Sequence, residues 1–218
     1  ARVIGIARDA DGVIIRESRG DTARFDEAVV ATHADEALRL LDVPSEQERK
    51  VLQEFAYSHN TAFLHEDPRL MPHRRAAWAS WNYLRDGAGT DDGTPLCVTY
   101  WMNKLQRLKT SRNLFVTLNP STEPHAPLTH GVYHYEHPVF TARTSAAQER
   151  SVALQGAAHT WFCGSYLGHG FHEDALQSGL WVAGQLGCER PWSDASAFDR
   201  LPASYHEPVA DLPVALSA

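Results

Sequence analysis

The chain has 218 residues, 43% hydrophobic and 22% charged, the balance of a soluble globular protein with room for one large domain or two small ones. Its net charge of −7 argues against a nucleic-acid binder or a polybasic membrane-surface protein, and no apolar run approaches the ~18 residues of a bilayer-spanning helix. Cys97, Cys163 and Cys188 are widely spaced and form no CxxC, which points to reduced thiols in a cytoplasmic protein rather than a disulfide framework.

In chain order, residues 2–8 and 13–18 are strand-like and meet at Asp11-Gly12, a pair suited to a tight hairpin turn. A third strand, FDEAVVAT at 25–32, completes a small β-meander. The strand pattern begins at Val3, where a natural terminus usually has slack. That predicts the later part of a longer chain, a trimmed or processed terminus being the alternatives. Ala34, Ala37, Leu38 and Leu41 then recur at helical spacing. Ser45 and Glu48 have the spacing of a capping box, opening a second helix with Val51, Leu52 and Phe55 on its apolar face. Strand-like runs follow at 57–65, around 77–84 and at 113–120, with a strand running into a short helix at 96–108. The polar stretch 86–95 reads as a loop, and 144–154 as a helix leading into a strand at 159–165. Past residue 188 the Pro-, Ser- and Ala-rich text predicts an irregular tail. These elements predict an α+β fold.

Twelve histidines raise the question of a metal. His169, His172 and Glu173 read HxxHE, neither HExxH nor HxxEH, and the other histidine groups lack a closing ligand at recognisable spacing. No metal site is expected. Cys163 sits in an apolar strand, where a thiol is inert packing, and GSYLG is not the GxSxG elbow. The GAGTDDG run at 87–93 follows no strand and opens no helix, unlike a dinucleotide fingerprint.

The stretch WFCGSYLGHGFHEDALQSGLWVAGQLG, residues 161–187, holds the most chemistry. A buried strand ends in Gly164, a loop with Gly168 and Gly170 follows, and an apolar helix begins near Phe171. Glycines permit tight turns and first-turn acids complement the helix dipole, so a plain cap explains part of it. A cradle for a flat or phosphorylated cofactor explains more, since backbone approaches closely and helix N–H groups point at negative charge. Gly179 and Gly184 are expected to give the helix a smooth face for close packing.

Phe162, Gly164, Ser165, Gly168, Gly170 and Ser178-Gly179 resemble the C-terminal flavin-binding motif of the FAD-dependent amine oxidase and phytoene-desaturase-like flavoproteins. LHEDPRLMP, AWASWNY, VTYWMNKLQ, VTLNP, HPVF and GFHEDALQSG are similar to one branch, the predicted amine-oxidase-like flavoproteins found beside cyclopropane-fatty-acid synthases. The resemblance covers residues 1–187. It implies that 1–33 and 155–187 are the C-terminal part of an FAD-binding domain, 34–154 a mixed-sheet substrate domain, and 188–218 the tail, with the 159–165 strand beside the 2–8 and 25–32 strands in one module and a separate sheet over 57–120. It implies that Val3 meets the adenine, that Ala31 and Thr32 lie near the pyrophosphate, and that Gly164, Ser165, Gly170, Phe171, His172 and Glu173 line the flavin. Ser165 stands where the family has an acid. Trp78, Trp81, Tyr83, Tyr100 and Trp101 either line an apolar pocket over the flavin or are core aromatics of the sheet.

The family's N-terminal GxGxxG half is absent from these residues, and with it the main phosphate site, so it is expected elsewhere in the full-length chain. No cysteine follows Gly164 in the loop, which implies noncovalent FAD. The expected function is the C-terminal portion of an FAD-dependent oxidoreductase moving hydride to or from a small-molecule or lipid-like apolar substrate. The alternatives are an accessory fragment without flavin and a metal hydrolase using His169, His172 and Glu173. No residue stands out as a general base.

Overall fold

The Asp11-Gly12 turn folds the N-terminus into an antiparallel sheet of β1 (Val3–Asp9), β2 (Gly12–Glu17) and β3 (Thr22–Phe25), in that order. The expected third strand breaks in two at Asp26-Glu27, and β4 (Ala28–Val30) leaves the meander. The break has a local cause. The Glu27 carboxylate is 3.2 Å from His159 Nδ1 and accepts a 2.9 Å hydrogen bond from Trp161 Nε1, tying the chain to a distant strand. Helix α1 (Ala34–Leu40) buries Ala34 and Ala37, and α2 (Glu46–Leu52) buries Val51 and Leu52. The Ser45–Glu48 capping box is made: Glu48 N–H donates to Ser45 Oγ (3.1 Å) and Ser45 N–H to Glu48 Oε2 (2.6 Å).

A five-stranded sheet follows, built from β5 (Ala56–His65), β6 (Trp81–Leu84), β7 (Cys97–Trp101), β8 (Phe115–Leu118) and β9 (Thr129–Val139), in the order β6-β7-β8-β5-β9. The short helix α3 (Met102–Leu105) joins β7 to β8. Because side chains alternate along a strand, the registers Trp81↔Tyr100↔Val116↔Leu64 and Asn82↔Thr99↔Thr117↔Phe63 define opposite faces. The second face is buried and carries a polar chain, with His65 Nε2 2.7 Å from Thr117 Oγ1 and Thr117 Oγ1 2.8 Å from Thr99 Oγ1.

After β9 come α4 (Ala142–Arg150), β10 (Thr160–Phe162) and α5 (His172–Gln185). The computed structural model describes residues 1–84, 97–188 and 200–206; the 86–95 loop and most of the predicted tail lie outside the described residues. The chain divides into two units, Ala1–Tyr57 with Pro138–Ala218, and Ser58–His137. α1, α2 and α4 therefore belong to the first unit, because Ala37, Leu52 and Ala147 share one core with Val30, Phe162 and Val182. The 159–165 strand does join β4 there, and the sheet over 57–120 is separate. Residues 200–206 pack inward: Leu201 and Tyr205 are buried in the same core, and Trp181 Nε1 donates to the Tyr205 carbonyl at 3.1 Å.

Candidate functional site

β4 and β10 pair in parallel, Ala28↔Thr160 through Val30↔Phe162, and Cys163 N–H extends the ladder to the Val30 carbonyl at 3.2 Å. Parallel pairing sends both chains out at the same end. Ala31 and Thr32 leave β4 beside Gly164 and Ser165 leaving β10, and a Cβ on Gly164 would lie 3.6 Å from the Thr32 carbonyl. The carboxyl ends of parallel strands are where α/β folds place ligands. Ala31 is exposed, and Thr32 donates its hydroxyl to the His33 carbonyl at 3.0 Å.

The loop from Gly164 to Phe171 is held from several sides. Ser165 opens a 3-10 turn, and its carbonyl accepts from Gly168 and Gly170 N–H, both at 3.1 Å. Gln148 on α4 donates to the Tyr166 and Gly168 carbonyls at 2.8 and 2.6 Å. Ser178 on α5 accepts from Gly164 N–H at 2.9 Å. Tyr166 is wholly buried against Phe55, its hydroxyl has no hydrogen-bond partner among the described residues, and burial raises its pKa well above the ordinary phenol value. Burial likewise raises the Cys163 thiol, which leaves it unreactive.

Asp174 settles how much of the loop is cap. Its carboxylate is wholly buried and accepts from Phe171 N–H at 2.6 Å, His169 N–H at 3.0 Å and Arg200 Nη1 at 3.0 Å. Gly168 makes room for it, since a Cβ there would sit 2.6 Å from Asp174 Cγ. The cap is one buried acid, and it leaves Phe171, His172 and Glu173 exposed at the start of α5, with Phe171 62% accessible. Glu173 accepts from Gln177 Nε2 at 3.0 Å. The amides of His172 and Glu173 have no intrahelical acceptor, as in any first turn. At Gly170 φ is +89° and a Cβ would meet the Phe140 ring at 3.0 Å, so the loop's own packing requires this glycine. At Gly179 and Gly184 a Cβ would meet nothing within 4 Å among the described residues, so neither serves close packing there.

Other predicted site residues fall elsewhere. Val3 lies on β1, in the other sheet of its unit. Trp81, Tyr83 and Tyr100 share one face of the five-stranded sheet, Trp81 and Tyr100 edge to face at 5.3 Å. Burial, then the neighbouring Tyr83, raises the Tyr100 pKa. Trp101 is on the opposite face, packed edge to face on Trp78 at 5.4 Å, as the residue after Tyr100 in a strand must be. Among the described residues no group of three or more His, Cys, Asp or Glu comes together to hold a metal ion, and no helix is long and apolar enough to cross a membrane.

No family model matches the chain, and no curated protein sequence matches it. Solved structures do match. A CLA-producing fatty acid isomerase from P. acnes aligns with a TM-score of 0.55 at 12% identity, over 84% of this chain and 46% of that one. A reduced UDP-galactopyranose mutase aligns with a TM-score of 0.57 at 14% identity, over 85% of this chain and 46% of that one. The mixed α+β fold is shared with these two structures. At such identity the likeness is one of fold, and the chain spans just under half the length of either structure.

Proposed function

We propose that these residues are the C-terminal portion of an FAD-dependent, amine-oxidase-like oxidoreductase that passes hydride between a noncovalently held flavin and a largely apolar substrate. The observation that carries this reading is the junction itself. Two parallel strand ends, a braced glycine loop and the exposed start of a 14-residue helix meet in a fold shared with the isomerase and the mutase. The residues fit a flat anionic group: an exposed Phe171 ring offers apolar contact, and the first-turn amides and dipole of α5 favour negative charge. Ala31, Thr32, Gly164, Ser165, Gly170, Phe171, His172 and Glu173 would hold it, with Val3 toward the adenine. When bound, the flavin supplies the hydride chemistry; the chain binds it and orients it.

The same reading assigns the second unit to the substrate. Trp81, Tyr83 and Tyr100, with Val98, Val116 and Leu118, form a half-exposed apolar face suited to a hydrocarbon-rich molecule. It also puts a GxGxxG-bearing half outside these residues. Among the described residues the parallel sheet has two short strands, fewer than parallel sheets ordinarily hold. The full-length purified protein should show the visible bands of oxidised flavin, and anaerobic addition of the right substrate should bleach them, with fatty acids and alkyl amines as separate arms. A colourless protein that stays colourless after incubation with FAD and gel filtration rejects the reading.

A further inference from the structure

On the flavin reading above, we infer that Asp174 is the positioning residue of the flavin-facing loop, and that Arg200 locks it from a segment 26 residues further along the chain. The carboxylate is wholly buried and divides its two oxygens between two tasks. Oδ2 takes the backbone N–H groups of His169 and Phe171, which bracket Gly170. Oδ1 takes Arg200 Nη1. The Gly168–Phe171 end of the loop is therefore tied by one anion, and that anion is paired with one cation.

Arg200 is itself held in place. Its guanidinium lies 5.7 Å from the centre of the Phe171 ring, and its backbone N–H donates to Gln177 Oε1 at 3.2 Å. The following residues are anchored to α4, with Ala203 and Ser204 N–H on the Glu149 carboxylate at 3.2 and 3.0 Å. A simple N-cap needs one acceptor for one or two amides. Here a buried charge, a cross-chain arginine and a docked segment converge on the turn that contains the exposed Phe171. Such investment suits a loop whose backbone must meet a ligand at fixed geometry, because a buried carboxylate without its partners is costly.

The test uses the full-length protein with Asp174→Asn, Arg200→Gln, Arg200→Lys and, as a control of general destabilisation, Val51→Ala in the core face of α2. Two quantities are read: amide hydrogen exchange at His169 and Phe171, and the dissociation constant for FAD. Asn keeps the shape but presents an NH2 group to Arg200. Asp174→Asn should speed exchange at both amides and weaken FAD about tenfold or more. Arg200→Gln should do the same to a smaller degree, and Arg200→Lys should recover most of it. Val51→Ala should lower the melting temperature and leave FAD affinity within about twofold. If Asp174→Asn does not fold, Arg200→Gln, altered at a part-exposed side chain, decides. Unchanged exchange at the two amides overturns the brace. Faster exchange with unchanged FAD affinity overturns the positioning role alone. A wild-type protein that takes up no FAD sinks the flavin reading and the positioning role with it.

Discussion

His65 is where burial acts most plainly on a single titratable group. Its ring is fully enclosed; Nδ1 accepts from Asp67 N–H at 3.1 Å, which leaves the proton on Nε2, facing Thr117. Burial is the largest influence and brings the pKa down from 6.5 to about 4, against the opposing pull of the Asp67 carboxylate. Between those values the unfolded ring binds a proton that the folded ring refuses. Its stabilising contribution is therefore complete above pH 6.5 and is lost as pH falls toward 4. The loss is about 3 kcal/mol by linkage. Urea unfolding at about pH 7 and about pH 4.5 should show a larger drop for wild type than for His65→Gln; equal drops would refute it. Gly170 makes a second residue-scale prediction. A Val there meets both φ +89° and the Phe140 ring, so it should cost roughly 2 kcal/mol of stability as well as flavin. Adding Phe140→Ala should recover only the steric part, measured by thermal unfolding. Asp174 was legible as an acid three residues past a helix start, whereas nothing near Arg200 in sequence announces its partner. The opposed faces of Tyr100 and Trp101 follow from strand alternation, which a grouping by aromatic character overlooks.

At the scale of elements, α2 displays both what a local pattern determines and what it leaves open. The Ser45–Glu48 box was readable from spacing. What spacing does not contain is that Glu48 also pairs with Arg8 on β1, with Arg8 Nη2 donating to Oε2 at 2.9 Å and the two side chains only 9% and 3% accessible. Burial works to raise the Glu48 pKa, but the Arg8 and Ser45 hydrogen bonds outweigh it and hold the carboxyl below its ordinary value. Arg8→Ala leaves a buried charge alone and should cost about 3 kcal/mol, against about 1 kcal/mol for Ser45→Ala. Denaturant titration of both variants checks the order, and a larger loss for Ser45→Ala would contradict it. The long edge strand β9 gave little sequence signal because both its faces are polar or aromatic and mostly exposed, so no buried alternation marks it. The 161–187 stretch was the opposite case. A fully buried strand, a glycine loop and an apolar helix, expected at 171–186 and observed at His172–Gln185, carry their own boundaries.

For the molecule as a whole, the two units answer to two different kinds of contact. The meander, the β4–β10 pair and α5 are joined by pairings between residues more than a hundred positions apart, such as Val30 with Phe162 and Glu27 with Trp161. No local pattern specifies which distant strand a short one will meet, so this arrangement was reached from the sequence through family resemblance and not through periodicity. The second unit's antiparallel sheet is built from nearer neighbours, and most of its strands could be read directly. The proposed function makes the first unit half of a noncovalent FAD site. The most direct measurement is the flavin released from the full-length purified protein on heat precipitation, counted per chain. About one FAD per chain is expected in the supernatant and none in the pellet. A flavin that stays with the precipitated protein, or a full-length protein that yields none even after loading with FAD, would contradict it.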